Sequence, residues 1–283
     1  MIGVTGATGQ LGHLVIEHLL KTTAANNIVA LVRNPQKATA LKELGVEVRE
    51  ADYTKPATLT TAFAGLDKLL LVSSSEVGQR ATQHQNVIDA AKAAGVKLLA
   101  YTSILHADTS PLSLAQEHVA TENYLRAADV PYVVLRNGWY TENYLASVPA
   151  ALANQAFIGC AGEGKISSAS RNDYAQAAAA VLTNSAPQAG KVYELSGDES
   201  YTLAELSAMI SEESGNTIRY VNMAEADFAK VLEGVGIPAP FAAVLADSDT
   251  GAAKGGLFDD SHTLSKLIGR PTDSLRSLVK AAL

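Results

Sequence analysis

The chain opens Met1-Ile-Gly-Val-Thr-Gly6-Ala-Thr-Gly9-Gln-Leu-Gly12 and continues His-Leu-Val-Ile-Glu-His-Leu-Leu20. The first residues are a short apolar run suited to a buried strand. From Leu11 onward the apolar positions fall at Leu11, Val15, Ile16, Leu19 and Leu20, which is the spacing of one helical face. Three glycines lie between strand and helix. Gly6 lets the chain leave the strand in a tight turn, Gly9 leaves room for a pyrophosphate at the backbone, and Gly12 lets the helix lie close to the sheet. Amide groups at the helix N-terminus then face a phosphate with the positive end of the helix dipole behind them. Glycines also serve ordinary turns. The flanking strand and helix are what make this triplet a nucleotide signature.

The next strand discriminates between nucleotides. Ile28-Val-Ala-Leu-Val32 is a continuous apolar run, as a parallel strand covered on both faces requires. It ends in Arg33-Asn34-Pro35, at the position where an acidic residue would hydrogen-bond a free ribose 2′-hydroxyl. No acidic residue occurs between Glu17 and Glu43. Arg33 stands there instead, with Lys37 one helical turn further on. A guanidinium matches phosphate through paired donors, so the expected cofactor is NADP(H) rather than NAD(H).

The alternation continues. Pro35 to Leu44 reads as a helix stopped by Gly45, and Val46 to Asp52 as the third strand. Asp52 and Tyr53 either line the adenine end or, for Asp52, cap the following helix. Lys68-Leu-Leu-Leu-Val72 runs into Ser73, Ser74 and Ser75, whose hydroxyls are well placed for ribose and pyrophosphate beside the switch point. Helices over 79–94 and 113–128 alternate with strands over 97–102 and 130–136. Six strand runs separated by helices predict an α/β fold, a doubly wound parallel Rossmann sheet over residues 1–136. Residues 137–283 predict a second, smaller α/β lobe, partly interleaved with the first. In it, 172–182 reads as an alanine-rich helix, 191–196 and 216–223 as strands, and Thr202-Leu-Ala-Glu205 as a capping box. Asp247 to Asp260, rich in Gly, Ser and Asp, reads as a loop bordering a substrate cleft.

The 283 residues are 47% hydrophobic, enough for a real core, and their net charge of −7 with no basic run argues against a nucleic-acid partner. One cysteine, Cys160, excludes an internal disulfide and fits a reducing compartment. The nucleotide turn begins at Gly6, which leaves no room for a cleavable signal, and no apolar stretch is long enough to span a bilayer. A soluble, cytoplasmic protein is expected. The six histidines show no metal-ligand spacing, and no metal is expected.

The turn Gly6-Ala-Thr-Gly9-Gln-Leu-Gly12 resembles the Gly-x-x-Gly-x-x-Gly form of the atypical short-chain dehydrogenase/reductases. Asn137-Gly-Trp-Tyr-Thr-Glu-Asn143 is similar to their NmrA-like branch. Residues 73–80, 102–111 and Gly255-Gly-Leu-Phe-Asp-Asp260 resemble the bacterial type-2 NAD(P)H:quinone oxidoreductases within it, with triphenylmethane dye reductases as a sibling group. The resemblance runs end to end. It implies NADPH binding at Gly6, Ala7, Thr8, Gly9, Gln10 and Leu11, at Arg33, at Ser73, Ser74 and Ser75, and along Asn137, Gly138, Trp139, Tyr140, Thr141 and Glu142.

One absence bears on the acceptor. Ordinary short-chain dehydrogenases use a Tyr-x-x-x-Lys pair to move a proton at the substrate oxygen. None of the ten tyrosines here has a lysine four residues later. A quinone needs that group least, because its conjugated ring takes hydride and becomes a stabilised phenolate. The expected activity is therefore direct hydride transfer from NADPH to a small quinone, without flavin or metal. The alternatives are an NmrA-like NADP(H) sensor without turnover, or a reductase of dyes and other conjugated electrophiles. Tyr140 offers an aromatic face and Asn143 an amide donor to the acceptor; Trp139 is either a second such face or core, and Asn143 is otherwise a turn residue. His118, near the position of the absent lysine, is either a surface or capped histidine or a proton donor.

Overall fold

A computed structural model describes all residues, 1–283. The chain begins β1 (Ile2–Thr5), α1 (Gln10–Leu20), β2 (Ile28–Val32), α2 (Thr39–Glu43), β3 (Glu47–Glu50), α3 (Pro56–Ala62) and β4 (Lys68–Leu71). It continues α4 (Arg80–Ala93), β5 (Leu98–Ile104), α5 (Ala115–Ala127) and β6 (Tyr132–Asn137). There follow α6 (Thr141–Leu145), α7 (Val148–Asn154), β7 (Ala156–Gly159), α8 (Arg171–Thr183) and β8 (Val192–Leu195). The chain ends α9 (Leu203–Ser214), β9 (Arg219–Asn222), α10 (Glu225–Gly234), α11 (Ala239–Ala253), α12 (Thr263–Ile268) and α13 (Leu275–Ala282).

Two compact units result. The first takes Met1–Ile104, Gln116–Asn137 and Arg171–Glu194; the second takes Leu105–Ala115, Gly138–Ser170 and Leu195–Leu283. The first holds a sheet in the order β3-β2-β1-β4-β5-β6-β8. β1 to β6 pair in parallel register. Every residue of β2 and β5 is buried, which accounts for their unbroken apolar runs under helices on both faces. Leu59, Phe63, Val87, Ile88, Leu99 and Tyr101 are core residues of this unit. Each such side chain withdrawn from water contributes about 1.5–3 kcal/mol.

Four expectations change. The helix over 35–44 is a 3₁₀ turn at Pro35–Lys37 followed by the short α2, because the Asn34 side chain accepts the Gln36 N–H and tightens the first turn. The strand read at 191–196 is not a feature of the second lobe. As β8 it is the seventh strand of the central sheet, running parallel to β6 through Val134 N–H to Lys191 O (3.0 Å) and Gly138 N–H to Leu195 O (2.7 Å). The alanine-rich α8 belongs to the first unit and packs on α1. Finally, residues 247–253 are not loop but the last turns of α11. There Ser248 bonds back to Val244 O, and Gly251 sits against Leu112, with no room for a Cβ. Tertiary packing overrides weak local propensity.

The second unit carries the parallel pair β7–β9 and the packed helices α10 and α11. The capping box read at Thr202 and Glu205 is present at the start of α9. Within this unit Asp249 is a buried carboxylate that accepts the Tyr144 hydroxyl (3.0 Å) and the Cys160 N–H (2.9 Å). Burial pushes its pKa up to about 6. Burial likewise pushes the Cys160 thiol up to about 11, which makes it a packing residue rather than a nucleophile. No helix is long and apolar enough to cross a membrane.

Candidate functional site

In a doubly wound sheet the crevice opens where strand order reverses, between β1 and β4 in this chain. A cleft of about 430 Å³ lies there in the first unit. The chain after β1 supplies Gly6, Thr8, Gly9, Gln10 and Leu11, the end of β2 supplies Arg33, and the chain after β4 supplies Ser73, Ser74 and Ser75. Residues as far apart as Gly6 and Ser75 thus line one wall, although Lys37 is not among the lining residues.

The glycine turn is built as its chemistry requires. Gly6 takes φ +59°, a conformation that disfavours any side chain. A Cβ on Gly12 would lie 2.4 Å from the Gly6 carbonyl oxygen, so this glycine permits the helix to start against the turn itself. On Gly9 it would lie 3.1 Å from the same oxygen. Gly9 caps α1 with no side-chain partner, and no acidic residue occupies the first turn. The His13 N–H bond to Gly9 O starts the ladder, leaving the amides of Gln10, Leu11 and Gly12 ahead of it. An uncapped helix N-terminus lining a cleft is an anion site. Ala7 is fully buried beneath the turn, and its amide donates to Leu31 O at 3.3 Å.

The serine loop is held from behind. Ser73 N–H donates to Thr102 Oγ1 (2.9 Å) and Ser74 N–H to His84 Nε2 (2.9 Å), while Ser74 O accepts Arg80 Nε (2.7 Å). Since Nε2 accepts, Nδ1 of His84 carries the proton and donates to Thr121 Oγ1, which donates in turn to Glu117 O. Burial, with Arg80 beside it, holds His84 down at about 3, so it stays a neutral acceptor. The floor is Tyr53, whose hydroxyl reaches Thr5 Oγ1 and Val72 O. Asp52 lines the cleft, and its carboxylate takes the Thr54 N–H in a local turn rather than capping α3, whose N-cap Lys55 has no side-chain partner.

His118 is neither a surface residue nor placed to donate a proton to a ligand. It is buried on α5, hydrogen-bonded to the Tyr101 hydroxyl (2.7 Å), and burial drives its pKa well below the ordinary value. Asn137 ends β6 with its side-chain oxygen buried and unpartnered. Gly138, Trp139, Tyr140, Thr141, Glu142 and Asn143 belong to the second unit. There Ala169 N–H donates to Trp139 O and Thr141 N–H to Ala169 O, and the Trp139 ring meets Tyr144 at 6.5 Å. Tyr140 caps α6, and Asn143 is half-buried within it. Glu76 and Gln83, which sequence reasoning did not single out, also line the cleft. The only available signal was that Glu76 directly follows three serines at a strand end. No three His, Cys, Asp or Glu side chains are grouped to hold a metal ion.

Comparison with known proteins agrees with this geometry. A family described as NAD(P)H-binding matches residues 6–185. Quinone oxidoreductase 2 of Escherichia coli K12 is 62% identical over 279 residues, spanning 99% of this chain and 97% of that protein. The crystal structure of NADPH-dependent quinone oxidoreductase from Escherichia coli, complexed with NADPH, has a TM-score of 0.97 at 61% identity over 99% of both chains. Triphenylmethane reductase of Citrobacter sp., complexed with NADP(H), has a TM-score of 0.96 at 41% identity over the whole of both chains.

Proposed function

The chain belongs to the NAD(P)H-binding, NmrA-like family, and from that premise we propose that it is a cytoplasmic NADPH-dependent quinone oxidoreductase acting on a small quinone. The observation that carries the cofactor is the cleft at the switch point, where an uncapped helix N-terminus, an excluded Cβ and a solvent-facing arginine coincide. Identity of 62% across the full chain to a quinone oxidoreductase supports the acceptor class.

When bound, NADPH supplies the hydride. The chain's own part is binding and orientation. The amides of Gln10, Leu11 and Gly12 meet the pyrophosphate, and Arg33 pairs with the 2′-phosphate. Ser73 and Ser75 offer hydroxyls to the ribose side, with the loop backbone immobilised by Thr102, His84 and Arg80. The resemblance to NADPH-binding relatives assigns residues 137–142 to the cofactor as well, and Tyr140 and Asn143 offer an acceptor an aromatic face for its ring and an amide donor for its oxygen. No Tyr-x-x-x-Lys pair is present. Holding a conjugated ring against the nicotinamide is then the main catalytic contribution.

The test is NADPH consumption at 340 nm with and without a soluble benzoquinone, repeated with NADH and with a triphenylmethane dye, uncatalysed reduction subtracted. Quinone-dependent loss preferring NADPH is expected. Turnover of the dye alone moves the acceptor class toward that of the Citrobacter relative, and tight binding without turnover marks a sensor. Asn143→Ala is expected to slow quinone turnover while leaving NADPH affinity unchanged.

A further inference from the structure

Arg33 is not alone at the 2′-phosphate end of the cleft. Its Nη1 lies 2.8 Å from Oε1 of Glu76, and the other oxygen of Glu76 accepts Nε2 of Gln83 at 2.7 Å. All three residues line the cleft. Gln83 is buried on α4 and anchors the carboxylate from behind, whereas the Arg33 side chain is 70% exposed. The carboxylate missing from the end of β2 is thus delivered from another strand: β2 contributes the guanidinium, and the chain after β4 contributes the acid.

These two charges favour different nucleotides. A dianionic 2′-phosphate needs the guanidinium that Glu76 engages, and it meets a negative charge beside it. A free 2′-hydroxyl is a donor, and a carboxylate is its natural acceptor. An exposed ion pair is weakly held, while a guanidinium–phosphate contact is bidentate and charge-assisted. The phosphate therefore displaces Glu76 from Arg33 and binds, but less tightly than it would in a cleft without that acid.

We propose that Glu76 is a specificity-determining residue that tempers the preference set by Arg33, so that the cleft accepts NADH as well as NADPH. The proposal rests on reading this cleft as the NAD(P)H site. Glu76→Gln tests it, because the glutamine keeps an oxygen for Gln83 while removing the charge. Glu76 is 44% exposed, so the variant is expected to fold, and its melting temperature checks this. Dissociation constants for NADPH and NADH are read by nucleotide fluorescence on the wild type and the variant. NADPH is expected to tighten roughly threefold to fivefold, the scale of one exposed ion pair, with NADH unchanged or weakened. Equal changes in both nucleotides, no change, or weaker NADPH would overturn the role of Glu76. A wild-type protein that binds neither nucleotide would instead overturn the assignment of the cleft.

Discussion

The backbone N–H of Ser74 donates to Nε2 of His84 across 2.9 Å, tying the cleft wall to a buried imidazole on α4. Replacing His84 by leucine strands that amide without an acceptor, at a cost of about 1–3 kcal/mol. His84→Leu is expected to lower Tm and raise KM for NADPH with little change in kcat. Glutamine at the same position restores an acceptor and is expected to recover part of the loss. Equal KM values for the wild type and both variants would release the loop from any dependence on His84.

Arg33 contributes little to stability, because its side chain is 70% exposed and its ion pair with Glu76 is at the surface. Arg33→Ala is therefore expected to leave Tm unchanged. It removes charge-assisted hydrogen bonds to the 2′-phosphate worth about 1.5–3 kcal/mol, so NADPH affinity falls about 10-fold to 100-fold while NADH affinity barely moves. Titration of both nucleotides decides it, and equal losses would remove the 2′-phosphate assignment.

Two glycines in one turn separate folding from binding. A methyl on Gly12 meets three backbone atoms of Gly6 and Ala7 within 3.0 Å, and none of them can swing aside. Gly12→Ala is expected to cost about 1–3 kcal/mol in stability and to abolish nucleotide binding. At Gly9, where φ is −81° and one oxygen lies at 3.1 Å, an alanine is expected to fold with nearly wild-type Tm and to weaken NADPH. Melting curves alongside nucleotide titrations test the pair; a Gly9 variant that loses as much stability as the Gly12 variant would refute the distinction.

Asp249 makes stability depend on pH in an unusual direction. Its pKa is 3.8 in an ordinary setting and about 6 in the fold, raised by burial against the opposing pull of the Cys160 N–H and the Tyr144 hydroxyl. Between about pH 4 and 6 the folded chain holds a proton that the unfolded chain has released, so this group's contribution declines as pH rises. The decline is complete above about pH 6 and amounts to about 3 kcal/mol. Asp249→Asn accepts the Cys160 N–H through its carbonyl and donates its amide to the Tyr144 oxygen. The variant is expected to melt higher than the wild type at pH 8 and to lose the slope between pH 4 and 6. A lower Tm at pH 8 would show that the charged form is the stabilising one.

Signals carried within about twenty residues were legible from the chain alone. Glycine spacing and 3.6-residue periodicity placed the β1 turn and α1, and unbroken apolar runs placed β2, β4, β5 and β6 as buried parallel strands. The lack of any acid near Arg33 is likewise a local fact. Each of these depends on backbone sterics and on burial of a single element's face, which neighbouring residues encode.

Only the tertiary structure decided what those elements meet. Lys191 bonds to Val134 across an excursion of the chain, which makes a short, half-exposed run the seventh strand of the sheet. Asp249 reaches Tyr144 from 105 residues away and stands in a helix that its composition disfavours. Glu76 meets Arg33 from 43 residues away, and Ser74 meets His84 through an imidazole that reads in sequence as one polar residue on a helix. Partner choice at such separations is settled by packing and by the need to satisfy each buried polar group, and neither leaves a pattern in the neighbouring sequence.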